Sequence, residues 1–368
     1  MIAERLTTAG FRNLESAAFS LDAGINIFYG DNAQGKTNCL EAVWLFTGAK
    51  SFRGAKDKEL VAFGGDQAEL ILDFKAQGRD QQARMSIQSR RSAQLNGIGL
   101  RSAARMAGIF CAVVFSPTHL SLIKDGPDAR RRFIDTACCQ LRPSYIRLLS
   151  EYQRTLQQRN ALLKEAARGK SLSEDTLSVW NARLAQAGAD VYEARRHYID
   201  RLAPEAAAIY NGLSAQREAM SACYESCVEN GGASKEAARD QLLRIMQERE
   251  NVDRAAGFTT AGVHRDDLYI SIDDRAARNY GSQGQQRSAV LALKLAEAAL
   301  LEKETGEQPV MLLDDVMSEL DPARQDYILN HIHGWQVLVT CCDPGPIRRL
   351  AKGAAFEVRG GKITRKDD

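Results

Sequence analysis

No apolar stretch among the 368 residues approaches the ~18 needed for a membrane-spanning helix. The N-terminal run MIAERLTTAGFRNLESAAF also lacks the uninterrupted apolar core of a secretory signal, because charges fall where that core would lie. Both absences lead to the expectation of a cytoplasmic protein with no membrane attachment. An excess of one charge sign is missing too, since 49 Lys and Arg stand against 47 Asp and Glu, a net +2. That balance excludes a uniformly basic coat for nucleic acid and requires any polyanion-binding face to arise by local clustering. The eight cysteines include two adjacent pairs, Cys138-Cys139 and Cys341-Cys342, a spacing unsuited to a disulfide framework. Cys223 and Cys227 have no second ligand pair downstream, so buried free thiols are expected rather than zinc. With 44% hydrophobic and 26% charged residues, the composition excludes disorder and fibrous repeats. What is there suits one large domain with an insertion, or two domains.

The texture of the chain changes twice. Short β-branched or aromatic runs at 25–29, 68–74, 83–87 and 109–115 predict strands, and a helix is expected from Lys36 to about Phe46. From Pro127 to about Ala256 strand-like runs become rare and Ala, Leu, Arg, Gln and Glu dominate, which predicts an all-helical segment. There Leu177, Trp180, Leu184, Ala187, Val191, Ala194 and Tyr198 form an alternating three-and-four seam, and Tyr145, Leu149, Tyr152, Leu156 and Leu163 form a similar one. Two seams joined by a polar turn near Gly169 suggest an antiparallel hairpin with arms on the order of 35 Å; an ordinary packed helical subdomain is the alternative. After Gly257 strand texture returns at 268–272, 310–313 and 337–339, with an Ala/Leu-rich helix over about 286–303. The expected architecture is an α/β domain in two sequence halves, 1–125 and 257–368, split by a helical lobe over 126–256.

Gly30-Asp31-Asn32-Ala33-Gln34-Gly35-Lys36-Thr37 is a complete G-x-x-x-x-G-K-T placed between a strand and a helix. Its glycines let the backbone wrap phosphates, Lys36 reaches the β/γ-phosphates and Thr37 offers a hydroxyl to Mg²⁺. Val310-Met311-Leu312-Leu313-Asp314-Asp315 is an apolar strand ending in two acids. Asp314 would hold the Mg²⁺ beside Thr37, and Asp315 would orient or deprotonate the attacking water; strand-end acids also cap turns. Ser282-Gln283-Gly284-Gln285 precedes the Ala/Leu-rich helix and resembles the S-x-G-Q signature of ABC-type ATPases, in which Ser282, Gly284 and Gln285 would complete the γ-phosphate site of a second subunit. Ser before a helix is equally an N-cap arrangement. Ser318-Glu319-Leu320-Asp321 matches the D-loop of that superfamily.

Taken together, these motifs resemble the RecF family, ABC-type ATPases related to the heads of structural-maintenance-of-chromosomes proteins and Rad50. Phe11-Arg12-Asn13 with the P-loop, 122–127 continuing through 130–135, 313–322, and Gly262 to Asp267 carry the resemblance over nearly the whole chain. It implies a P-loop ABC-type head with a mixed sheet. Lys36 and Thr37 would act on phosphate and Mg²⁺, Asp314 on Mg²⁺, and Ser282 in trans, with Asp315 where most relatives have a catalytic Glu. No switch histidine follows the 337–339 strand, which ends in Thr340-Cys341-Cys342, and no Q-loop glutamine is evident near Phe115-Ser116-Pro117. A short acid at 315 and the missing histidine predict slow ATP hydrolysis.

Nucleic-acid binding is argued locally. Residues 128–170 hold ten Lys/Arg against four Asp/Glu, a net of +6, densest at Arg130-Arg131-Arg132, with a second basic pair at Arg90-Arg91. Such a cluster neutralises phosphates without regard to sequence, unless its arginines pair with acids or cover apolar surface. The resemblance implies double-stranded DNA and single-strand/duplex junctions as partners, a homodimer formed on ATP binding, and recruitment of RecR with RecO in recombinational repair. A protein in which ATP merely dimerises the heads is the competing expectation, and a P-loop kinase acting on a small molecule is a third. His264 beside Asp266 reads as a structural hydrogen-bonder.

Overall fold

The computed structural model describes residues 1–171, 173–229, 234–345 and 353–366. Its chain divides into two units, the first comprising Met1–Leu120, Ala208–Glu218 and Arg287–Asp368, the second Ser121–Ala207 and Ala219–Gln286. Among the described residues no helix is long and apolar enough to cross a membrane.

The first unit holds two six-stranded sheets, with strands numbered in chain order. One is antiparallel in the order β2 (Ala17–Ser20), β1 (Ile2–Ala9), β4 (Ala68–Ala76), β5 (Arg79–Ile87), β6 (Arg91–Leu95), β7 (Ile98–Gly99). Along β4 and β5 buried and less buried residues alternate, the period expected of a sheet with one face in the core. The other sheet is mixed: β15 (Lys362–Lys366), β14 (Gly353–Arg359), β3 (Ile25–Tyr29), β13 (Val337–Cys341), β12 (Val310–Asp314) and β8 (Ala112–Phe115), all parallel save the β15 hairpin. Every residue of β12 and β13 is buried, which explains their unbroken apolar runs. Helix α1 (Lys36–Leu45) contributes Leu40, Val43 and Leu45 to one apolar cluster containing side chains of both sheets. Buried Gln336 adds a polar tie: its amide nitrogen donates to the Ala3 carbonyl (2.7 Å) and its oxygen accepts from the Ala3 N–H (2.8 Å), so its side chain bonds the β1 backbone as a paired strand would.

In the second unit, α2 (Ser121–Lys124), α3 (Pro127–Leu141), α4 (Tyr145–Ala167), most of α5 (Glu174–Leu213), α6 (Lys235–Glu248), α7 (Glu250–Ala256) and α8 (Ala277–Tyr280) accompany a small sheet. Tyr152 meets Gly188 and Arg159 meets Asn181, so residue numbers run in opposite directions along α4 and α5. The hairpin expected from the two seams is therefore antiparallel. The seam of α5 is buried at Leu177, Leu184, Ala187, Val191 and Tyr198. Arg159 takes the seam position between Leu156 and Leu163 and is fully buried, donating to Asn181 (2.8 Å), Asp253 (2.7 Å) and Thr259 (2.7 Å).

Two expectations need correction. The middle of the chain is not wholly helical, because β9 (Met220–Glu225) pairs antiparallel with β10 (Asp267–Ile272), itself paired with β11 (Arg275–Ala276). That pairing also moves the domain boundary: residues 257–286, assigned by sequence to the C-terminal half of the head, belong to the second unit, which begins at Ser121 rather than at 126. Helix α9 (Gln283–Thr305) starts in this unit and continues into the first, which also holds α10 (Pro322–His331). The thiols are less uniformly buried than expected, Cys223 and Cys342 being exposed.

Candidate nucleotide site

Strand β3 ends at Tyr29 and the chain turns through residues that only permissive backbones tolerate. Gly30 has φ +144°, and a Cβ there would sit 2.4 Å from the Val358 carbonyl oxygen of neighbouring β14. Gly35 has φ +115°, with Asn13 Oδ1 only 2.9 Å from where its Cβ would lie. These two glycines thus let the loop pass strand and turn at distances no side chain permits. Gly35 is also the N-cap of α1, which has neither a side-chain cap nor an acid in its first turn. The helix therefore presents uncapped N–H groups and its positive dipole end, a fit to phosphate.

Lys36, buried beside the loop, donates to the carbonyls of Gly30 (2.7 Å) and Asp31 (3.2 Å) and lies 3.5 Å from Cys342 Sγ. Cys342 in turn contacts Asn32 Oδ1 at 3.3 Å. Thr37 donates its hydroxyl to Asp314 Oδ1 at 2.7 Å across 277 residues of sequence. Thr340, one strand over, donates to the same oxygen at 3.0 Å and accepts the backbone N–H of Asp315 at 2.8 Å. Burial pushes the Asp314 carboxyl up from the ordinary Asp range, with the two hydroxyl donors pulling the other way. Asp315 is held at φ +51°, a left-handed conformation costly for a non-glycine residue, and it faces a cleft of about 310 Å³ shared with Asn32, Lys36, Thr37 and Arg53. The cleft and the oxygen pair of Thr37 and Asp314 fit a nucleotide and a hard cation. One carboxylate beside a hydroxyl is what Mg²⁺ uses when phosphates and water supply its other ligands.

Several residues at this site were not singled out from sequence as site residues. Glu41 on α1 is completely buried, accepts both Nε (2.9 Å) and Nη2 (3.0 Å) of Arg12, and also takes the Ser51 hydroxyl. Asn13 donates to the Ala33 carbonyl (3.3 Å) and accepts from Asn38 (2.7 Å), stitching the Phe11-Arg12-Asn13 turn to the P-loop. Arg53 donates to Asn38 Oδ1 at 2.9 Å. Asn38 and Arg53 also line an adjoining recess of about 640 Å³, flanked by Arg12, Val61 and the fully exposed Phe63. Nothing periodic in the sequence marks Arg53, Phe63 or Thr340, since each reaches the site through a loop or strand end far away in the chain.

Ser282 and Gln285 form a reciprocal capping box at the start of α9: the Gln285 N–H donates to Ser282 Oγ (3.2 Å) and the Ser282 N–H donates to Gln285 Oε1 (2.7 Å). Gly284 lies within its first turn. The Phe115-Ser116-Pro117 segment closes on itself through Ser116 N–H to His119 Nδ1 (3.1 Å). In the D-loop stretch the Ser318 hydroxyl donates to the Asp315 carbonyl (2.8 Å), and Asp321 caps α10 through the Arg324 N–H (3.1 Å).

Of the basic triplet, Arg130 is corrected from a DNA contact to a structural residue. It is buried, bonded through Nε and Nη2 to Asp267 (2.5 and 2.8 Å), and donates to the Leu122 and Asp125 carbonyls (2.9 Å each). Arg131 donates to the Asp266 carbonyl (2.6 Å) and to Asp128, and Arg132 alone is exposed. Arg91 pairs with Asp57 at 2.9 Å. His264 bonds Tyr152 Oη (2.7 Å) and the Thr259 carbonyl (3.1 Å), the structural role expected for it.

A P-loop at the end of a central parallel strand, an acid pair at the tip of β12 two strands along the same sheet, and a split α/β unit define an ABC-type ATPase head. The model for the RecF/RecN/SMC N terminal domain matches residues 2–356. The chain is 40% identical to the DNA replication and repair protein RecF of Agathobacter rectalis and 38% identical to that of Ruminiclostridium cellulolyticum, covering 99% of both sequences in each case. It superposes on the solved recombination mediator protein RecF bound to ATP with TM-score 0.93 at 32% identity, covering 100% of this chain and 98% of that one. The Smc head domain of Pyrococcus furiosus shares the fold, with TM-score 0.56 at 16% identity. The chain belongs to the RecF family of DNA replication and repair proteins.

Proposed function

We propose that the chain is an ATP-dependent DNA-binding protein of recombinational repair: ATP and Mg²⁺ occupy the P-loop cleft, bound nucleotide joins two copies head to tail through Ser282, and slow hydrolysis releases the pair from DNA. The observation that carries this reading is the 2.7 Å bond between Thr37 and Asp314, which assembles from both sequence halves the oxygen pair a magnesium nucleotide requires. When bound, Mg²⁺ neutralises charge on the phosphates. Lys36 would turn from the Gly30 and Asp31 carbonyls to the β/γ-phosphates, and Asp315 would orient the attacking water. The nucleoside would extend past Asn38 and Arg53 into the recess beside Phe63, where an aromatic face suits a base. Double-stranded DNA and its single-strand junctions are the proposed partners, met by exposed basic groups such as Arg132. RecR with RecO is proposed from the RecFOR pathway named for the solved relative.

Sedimentation with and without MgATP and a gapped duplex tests the reading, run beside Ser282→Arg. Wild type should dimerise and bind DNA only with MgATP, while the variant binds nucleotide and stays monomeric. A variant that dimerises like wild type leaves Ser282 as a helix cap and overturns the trans site.

A further inference from the structure

Half of the basic stretch that sequence assigned to DNA is neutralised within the fold, and part of the charge left over lies along one groove. Arg130, Arg159, Arg168 and Lys170 are each paired with a carboxylate of the chain, Asp267, Asp253 and, for the last two, the exterior Glu165. Arg147 and Arg154 are exposed and, among the described residues, have no carboxylate partner. They lie two turns apart on one face of α4, about 10 Å along the axis. Both line a groove of about 640 Å³ between α4 and α5, with Glu151, Gln158, Trp180 and Arg183. On the α5 wall the Arg183 guanidinium stacks 5.6 Å from the Trp180 ring centroid.

We propose that this groove binds a single-stranded segment of nucleic acid. Two unpaired arginines take phosphates, the indole–guanidinium stack offers a planar platform to an unpaired base, and the Gln158 amide and Glu151 carboxylate meet base edges that donate and accept hydrogen bonds. A duplex hides the ring faces and the Watson–Crick edges, leaving only the groove edges open. An acidic polypeptide has no unpaired ring to lay on the planar stack. The inference rests on the DNA-binding reading above and assigns the unpaired strand to the helical lobe.

The test is fluorescence anisotropy with labelled oligo-dT and a blunt duplex of equal length, across salt, for wild type, R147Q/R154Q and W180A, each checked for wild-type circular dichroism. Trp44 and Trp335 are buried, so a ligand-induced change in indole emission reports on Trp180. W180A should weaken oligo-dT on the order of ten-fold with duplex affinity unchanged. R147Q/R154Q should flatten the oligo-dT salt slope by about 1.4, the release expected for two phosphates on a single strand. Oligo-dT should quench wild-type emission and leave W180A unaltered. Wild-type affinity in both variants overturns the proposal, as does equal quenching by poly-glutamate, which marks an acidic-protein site. A gapped duplex with MgATP runs alongside: if wild type binds it while the variants keep oligo-dT, only the groove assignment fails; if wild type binds no DNA, the function fails with it.

Discussion

Thr340 and Asp315 are joined by one hydrogen bond, the Asp315 N–H donating to Thr340 Oγ at 2.8 Å, while the same hydroxyl donates to Asp314 at 3.0 Å. One side chain thus orients a buried acid and holds its neighbour at φ +51°.

Removing that hydroxyl should therefore impair turnover more than nucleotide binding. Thr340→Val is expected to lower kcat about ten-fold or more, the cost of one hydrogen bond to a charged group, with little change in ATP affinity. Thr340→Ser should restore most of the rate. Steady-state hydrolysis with both variants checks this, and equal loss in Val and Ser would reject the positioning role.

Asp315→Asn separates a hydrolytic cycle from nucleotide that merely joins two heads. Loss of a water-orienting acid should cost about 10² or more in kcat and lengthen residence on DNA in MgATP. Residence time by surface plasmon resonance decides, and unchanged residence would favour the purely dimerising reading.

Phe63 offers an exposed ring beside the recess that adjoins the P-loop cleft. Phe63→Ala should weaken ATP about ten-fold through lost stacking and leave inorganic tripolyphosphate unaffected. Calorimetric titration of both ligands distinguishes a base contact from a general loss of the site.

Burial pushes the His264 imidazole down to about 4. An unfolded histidine keeps its ordinary value near ~6.5, so between these values the unfolded chain binds more protons than the folded one. Stability from this group is complete above about pH 6.5 and is lost as pH falls toward 4, by roughly 3 kcal/mol in total. Urea unfolding of wild type and His264→Gln should show the variant with the shallower pH slope in that window; parallel slopes would contradict the assignment.

Sequence and structure agree most closely where contacts are local. The P-loop was legible because strand, glycines and helix start are consecutive, and β12 and β13 because burial on both faces demands unbroken apolar runs. Arg130 was misread because its partner Asp267 lies 137 residues away, and charge counting registers arginines without registering what neutralises them. Strand β9 was missed because its partner β10 lies across two helices and because its own residues are only alternately covered.

The amino-acid sequence by itself determined the nucleotide loop, the acid-tipped strand and the helical character of most of the intervening lobe, since each depends on backbone preference and periodicity within a few turns or strands. Only the tertiary structure decided that Thr340 braces both acids, that Arg53 and Phe63 flank the nucleotide cleft, and which arginines remain free. Those outcomes depend on pairings between residues tens to hundreds of positions apart, and hydrogen-bond partners at that separation leave no periodic trace in the chain.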